Sequence, residues 1–286
     1  MIVAIASGKG GTGKTTVAAG LARIWTPPLQ VVDLDVEAPN LHLFLKPDIL
    51  GRETAYITVP VADESKCTAC GKCAELCQFK AITVLGGYLL TFPEMCHGCG
   101  GCMAICPEGA ISKGRRELGE LLWGKTKDAD FIMGRLRVGE AMSPPLMRQV
   151  QDRYDTKGDV IVDAPPGTSC PAMTAVEVAD VIILVGESTP FGFHDLKLAR
   201  EAFTAMNKPM GVVINRAGLG DDSLRTYCQT TGLPILMEIP FDRDIAYAYS
   251  NGLVISELGP KYEQLFKDLA QSIRQLSQSQ PEAHHA

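Results

Sequence analysis

Two sets of residues have the types and spacings that chemistry needs. The first is Gly8-Lys9-Gly10-Gly11-Thr12-Gly13-Lys14-Thr15, followed by Thr16, which fits the pattern G-x-x-x-x-G-K-[ST]. Such a loop turns backbone N–H groups inward on phosphate oxygens, and the helix that follows adds its positive end. Lys14 supplies a point charge for the β and γ oxygens, and the Thr15 hydroxyl is a ligand for Mg²⁺. The second set is a repeat of cysteines. Cys67-x2-Cys70-x2-Cys73-x3-Cys77 is followed by Cys96-x2-Cys99-x2-Cys102-x3-Cys106-Pro107. Pairs of the form C-x2-C also suit tetrahedral zinc. Two runs of four, each with the final x3 and one with the trailing proline, favour iron–sulfur ligation.

These residues need a scaffold, and the remaining sequence has an α/β rhythm. Short β-branched runs at 2–7, 29–33, 159–163, 181–185, 211–214 and 235–239 predict strands. Helix-period segments at 14–25, 145–154, 192–206 and 221–230 separate most of them. Continuous apolar strands alternating with amphipathic helices predict a doubly wound, mostly parallel sheet covered on both faces. The cysteine-rich window interrupts this rhythm and is expected to be a small α+β domain inserted at 61–113. The flanking parts, 1–60 and 114–276, then form the larger α/β domain. Residues 119–123 and 131–137 flank a polar turn and predict a β-hairpin before the parallel sheet resumes. An amphipathic pattern over 260–276 predicts a C-terminal helix docked on the core, with a disordered polar tail at 277–286.

The bulk composition narrows the partners. With 27 basic and 33 acidic residues, the formal charge of −6 argues against a broad nucleic-acid footprint. No run approaches the roughly 18 apolar residues of a membrane span. The chain opens on an apolar strand followed at once by the Gly/Lys loop, which does not read as a signal peptide. A cytoplasmic, reducing location is therefore expected, in which the ten cysteines are metal ligands rather than disulfides.

The string KGGTGKTT at 9–16, with its early second lysine, resembles the deviant phosphate loop of the MinD/Mrp/ParA superfamily, which includes the nitrogenase iron protein. The resemblance covers nearly the whole chain outside the insert. It implies a P-loop ATPase fold that binds ATP or ADP with Mg²⁺ and closes as a nucleotide-sandwich dimer with itself or a paralogous subunit. In that dimer Lys9 reaches the partner's ATP and stabilises charge during phosphoryl transfer. Asp35, in Val32-Asp33-Leu34-Asp35, takes the place of the switch I aspartate that orients the attacking water. Asp163, at the end of 160–163, takes the place of the Walker B aspartate that holds Mg²⁺. Asn215 and Arg216, after the strand at 211–214, resemble the adenine-contacting motif.

The cysteine repeat resembles a bacterial-type ferredoxin with two 4Fe–4S clusters. That resemblance implies that the fourth cysteine of each run serves the other cluster. One set is Cys67, Cys70, Cys73 and Cys106; the other is Cys96, Cys99, Cys102 and Cys77. Gln78 stands where a proline often follows the fourth cysteine. Cys228 reads as a packing residue in a helix. Cys170, seven residues after Asp163, occupies the offset of a cysteine that binds a shared cluster in the nitrogenase iron protein. The second bridging cysteine of that protein falls near Glu140 here, so the full four-thiolate site is absent. Cys170 then has two readings, a labile metal site across the dimer or a helix-start residue without chemistry, and the second is favoured.

Three functions compete on this reading. The first is assembly or carriage of iron–sulfur or related metal cofactors, as an ATP-driven switch acting on a maturation partner. The second is ATP-gated electron transfer from the insert to a redox partner. The third, positioning on membranes or DNA, is disfavoured by the acidic balance and the absence of a basic amphipathic tail.

Overall fold

The computed structural model describes residues 1–155 and 157–278. In chain order the elements begin with β1 (Ile2–Ala6), α1 (Lys14–Ile24), β2 (Leu29–Asp33), α2 (Leu41–Leu45) and β3 (Asp48–Ala62). The cysteine-rich part contains α3 (Lys72–Leu76), β4 (Ile82–Leu85), β5 (Tyr88–Thr91) and α4 (Gly101–Ile105). Then come β6 (Ile111–Lys125), β7 (Asp130–Leu136), α5 (Pro144–Gln151), β8 (Asp159–Asp163), α6 (Cys170–Glu177) and β9 (Val181–Glu187). The last are α7 (Pro190–Thr204), β10 (Met210–Ala217), α8 (Ser223–Thr230), β11 (Ile235–Pro240), α9 (Arg243–Ser250) and α10 (Pro260–Gln278).

Among the described residues a nine-stranded sheet runs in the order β11-β10-β9-β1-β8-β2-β7-β6-β3. Neighbouring strands from β11 to β7 pair in parallel. The expected hairpin is β6–β7, joined through a turn in which Thr126 N–H donates to the Ala129 carbonyl. Its second strand is already part of the parallel sheet, aligned with β2 from Gln30–Asp130 to Asp33–Met133. The strand β3 and the helices α2 and α9 were not legible as elements. The tail expectation at 277–286 holds a difference: Ser277 and Gln278 end α10, and the remainder lies outside the described residues.

The chain forms two compact units. The first comprises Met1–Arg52, Leu121–Arg135 and Met147–Ala286; the second comprises Glu53–Glu120 and Leu136–Leu146. The first unit's core is built from the strand interiors Val3, Ile5, Val31, Ile161 and Ile183 with Val17 and Leu21 of α1 and Phe266 and Ile273 of α10. Burying a side chain such as Phe266, fully enclosed here, contributes about 1.5–3 kcal/mol. Gly20 in α1 makes room for that ring, since a β-carbon there would collide with Phe266.

The second unit has a small core of Cys73, Ile82, Leu89 and Ile111. Its backbone repeats by the offset that separates Cys67 from Cys96. Left-handed residues recur at Ala69 and Gly98, Gly71 and Gly100, and Lys80 and Gly109. Gly71 and Gly100 are the residues before α3 and α4. Across the same unit, the buried Arg116 pairs with Glu140, whose side chain is 1% exposed, and Glu94 bridges Arg116 and Arg137. Glu140 is thus committed to an internal ion pair.

Candidate functional site

The phosphate loop lies between β1 and α1 because apolar Val3–Ala6 is buried in an interior strand of the sheet and Lys14 opens the helix. Gly13 precedes that helix with φ +97°, a left-handed conformation that a side chain resists. β-carbons added at Gly10 or Gly11 would meet nothing within 4 Å, so the loop's face is open where a polyanion would sit. Lys14, Thr15 and Thr16 are buried, as is Thr12.

Behind the loop, β2 and β8 lie side by side with Asp33 opposite Asp163. Thr15 Oγ1 is 2.6 Å from Asp163 Oδ2 and 2.8 Å from Asn40 Oδ1. One hydroxyl proton serves only one of these acceptors at a time. The second oxygen of Asp163, Oδ1, is buried without a partner. Burial pushes the Asp163 carboxyl up, while Lys14 and the Thr15 hydroxyl draw it back. Burial also raises Asp35, against the pull of Lys14.

Asp33 was read only as part of the switch I string, and the structure gives it a role. Its carboxylate accepts from the backbone N–H groups of Asp35, Asn40 and Leu41, so it holds the loop that leads into α2. Burial and the neighbouring Asp163 push its carboxyl well above the ordinary range. Asn40 was not singled out from sequence either. A lone Asn in a loop carries no pattern, and its contact with Thr15 is made between distant segments.

On the other side of the loop, the Asn215 amide donates to the Thr12 carbonyl at 2.8 Å. A β-carbon at Gly13 would run into that amide. Arg216, at φ 53°, pairs with Glu187 at 2.6 Å. Lys9 also pairs with Glu187, at 3.7 Å. Cys170 is exposed as the first residue of α6, and Cys228 is buried in α8.

In the second unit the eight cysteines line two cavities. One is lined by Cys67, Cys70, Cys73 and Cys106, the other by Cys77, Cys96, Cys99 and Cys102. Backbone N–H groups donate to sulfur in matched pairs: Ala69 to Cys67 and Gly98 to Cys96, at 3.4 Å each, and Ala81 to Cys77 and Ala110 to Cys106, at 3.3 Å each. Burial raises the Cys73 and Cys102 thiols, which stand at equivalent places in the two runs. Among the described residues no three His, Cys, Asp or Glu side chains are gathered as a single metal ion requires. None of the described helices is long and apolar enough to cross a membrane.

A parallel α/β sheet with a phosphate loop at the end of an interior strand and a carboxylate at the end of the neighbouring strand defines a P-loop ATPase. The chain belongs to the CobQ/CobB/MinD/ParA nucleotide-binding domain family, whose model matches residues 3–255. It is 30% identical over 282 residues to an uncharacterised protein of Methanocaldococcus jannaschii, covering 96% of this chain and 97% of that one. An iron–sulfur cluster carrier protein of Aquifex aeolicus is 24% identical over 298 residues, covering 97% of this chain and 68% of the relative. Among solved structures, the septum site-determining protein MinD of Pyrococcus horikoshii, complexed with Mg-ADP, superposes with a TM-score of 0.58. Its identity is 19%, with 99% of each chain covered.

Proposed function

We propose that this ATPase is a dimeric switch in the assembly or carriage of iron–sulfur or related metal cofactors, and that residues 61–113, within its second unit, are a ferredoxin-like insert holding two 4Fe–4S clusters. The observation that carries this reading is the sorting of eight cysteines into two cavities, each with three from one run and the fourth from the other. Four thiols around a void suit a cubane cluster, whose cysteine ligands stand at separate corners. Cys67, Cys70, Cys73 and Cys106 hold one, and Cys96, Cys99, Cys102 and Cys77 hold the other. Once bound, such clusters supply one-electron storage and transfer. The chain's own part is to present and orient the sulfurs, and the backbone N–H donors to Cys67, Cys77, Cys96 and Cys106 supply hydrogen bonds of the kind that tune a bound cluster.

The nucleotide site follows the family pattern. Gly8, Gly10, Gly11, Thr12, Gly13, Lys14, Thr15 and Thr16 take the phosphates of ATP or ADP. Thr15 and Asp163 take Mg²⁺, a role supported by the buried, unpartnered Asp163 Oδ1 and by the Mg-ADP in the MinD relative. Asp35 orients the attacking water, Lys9 acts on the nucleotide of a partner subunit, identical or paralogous, and Asn215 and Arg216 face the adenine side. The likeness to an iron–sulfur cluster carrier protein supports the maturation reading over positioning. In sequence the insert stands between Asp35 and Asp163, so both of its ends connect to switch-bearing segments. A reducing, cytoplasmic setting suits free thiols.

A second reading, electron donation to a redox partner, is favoured by one observation: all eight insert cysteines line the two cavities, leaving none of them for handing on a cluster. Anaerobic reconstitution separates the two. We expect about eight irons per chain without Cys170, since each cubane holds four. Further iron that appears with ATP, is lost in Cys170→Ser and passes to an apo-acceptor during turnover supports carriage. Constant iron through turnover, with ATP-dependent reduction of an acceptor, moves the function to the second reading. Lys9→Ala is expected to bind nucleotide and to lose dimer closure and hydrolysis, as read by ATP-dependent sedimentation.

A further inference from the structure

Glu187 is the last residue of β9, and its side chain is 5% exposed. Its two oxygens serve two cations. Oε1 accepts a 2.6 Å hydrogen bond from Arg216 Nη1, and Oε2 lies 3.7 Å from Lys9 Nζ. One enclosed carboxylate therefore ties the early lysine of the phosphate loop to the strand end that carries Asn215 and Arg216. Two cationic partners offset the cost of enclosing this side chain.

Lys9 is the looser member, at 3.7 Å from the carboxylate against 2.6 Å for Arg216. A lysine is a point charge on a flexible stem. Next to an open phosphate cradle, an unrestrained ammonium turns to the largest nearby negative charge, which is the nucleotide of its own chain. Lys14, at the start of α1, already serves that nucleotide. A second cation collapsing there would strengthen ground-state binding without helping the transition state.

We propose that Glu187 is a positioning residue for Lys9: it draws the ammonium off the chain's own phosphate cradle and keeps it available to the nucleotide of the partner subunit. Arg216 holds the other carboxylate oxygen, so Glu187 stays in place when Lys9 exchanges it for phosphate. This inference rests on the reading of Lys9 as a residue acting across the dimer. It goes further in assigning the orientation of Lys9 to a carboxylate from β9, outside the phosphate loop and both switches.

The test is a double-mutant cycle on the reconstituted full chain, with Glu187→Gln, Lys9→Ala and the pair. Three quantities are read: kcat, the Kd for a fluorescent ADP, and dimerisation with a non-hydrolysable ATP analogue. Glu187→Gln is expected to lower kcat about ten- to a hundredfold, the scale of a misplaced group, with ADP bound at least as tightly as in wild type. The pair is expected to be no slower than Lys9→Ala alone, because both changes act through one side chain. Glu187→Asp keeps the charge that Arg216 needs and retracts it from Lys9, so it reads the same quantities should the glutamine variant not fold. A smaller kcat loss is expected from it. Wild-type kcat in Glu187→Gln beside an inactive Lys9→Ala overturns this inference alone. Multiplying losses, or weaker ADP binding, also overturn it by assigning Glu187 to the fold. Full turnover and dimerisation in Lys9→Ala overturn the inference together with the reading it rests on.

Discussion

Gly13 joins two features that single residues rarely combine. Its φ of +97° lies in the left-handed region, and the Asn215 amide occupies the space a side chain would need. Gly13→Ala is therefore expected to weaken nucleotide binding about tenfold or more, since a left-handed alanine costs about 1–2 kcal/mol before the collision is counted. A titration with fluorescent ADP checks this, and unaltered affinity would mean the loop is not the phosphate cradle. At this scale the sequence was most informative where spacing itself carries the chemistry. Lys14, Thr15 and the cysteine runs could be named because the spacing of residues close in the chain marks each motif. Asp33, Asn40 and Glu187 could not be weighed that way. Asn40 meets Thr15 and Glu187 meets Lys9 only after distant segments converge, and no local pattern marks either residue.

Elements hold one another through contacts that such patterns do not reveal. Arg225 of α8 grips Glu238 of β11 with two hydrogen bonds, Nε to Oε1 at 2.9 Å and Nη2 to Oε2 at 2.6 Å. The Arg225 hydrogen bonds hold the Glu238 carboxyl below its ordinary value of 4.5, against the opposing effect of burial. A depressed carboxylate stabilises the fold fully above its unfolded-state value, and that contribution is lost as pH falls below 4.5 through the folded-state value. Glu238→Gln should therefore cost up to about 1 kcal/mol at neutral pH, the pair being partly exposed, and flatten the acid limb of the stability profile. Urea melts at neutral and acid pH measure both. An equal loss at all pH values would mean the side chain acts by packing. The sequence had announced α8 and β11 as elements through their apolar periods, yet the pair that fastens them is separated by thirteen positions and belongs to neither period.

At the scale of the molecule, two units grow from one chain, with β3 and β6 contributing residues to both. The crossed sorting of cysteines makes a prediction about the second unit. On the proposed reading, Cys106→Ser is expected to remove the cluster assigned to Cys67, Cys70 and Cys73, and Cys77→Ser the one assigned to Cys96, Cys99 and Cys102, each leaving about four irons per chain. Iron analysis with the spectrum of the surviving cluster decides it. If Cys106→Ser instead spared that cluster, each run would serve its own cavity. The sequence by itself determined the parallel α/β class, the phosphate loop and the two cysteine runs, because strand alternation, helix period and ligand spacing are properties of residues close in the chain. Beyond the crossed cysteine sharing that the ferredoxin resemblance implied, the tertiary structure decided that β7 pairs with β2 and that Glu187 carries both Lys9 and Arg216. Those are facts of distance between remote segments, set by how strands order in a sheet and how a repeat folds on itself, and no local pattern encodes them.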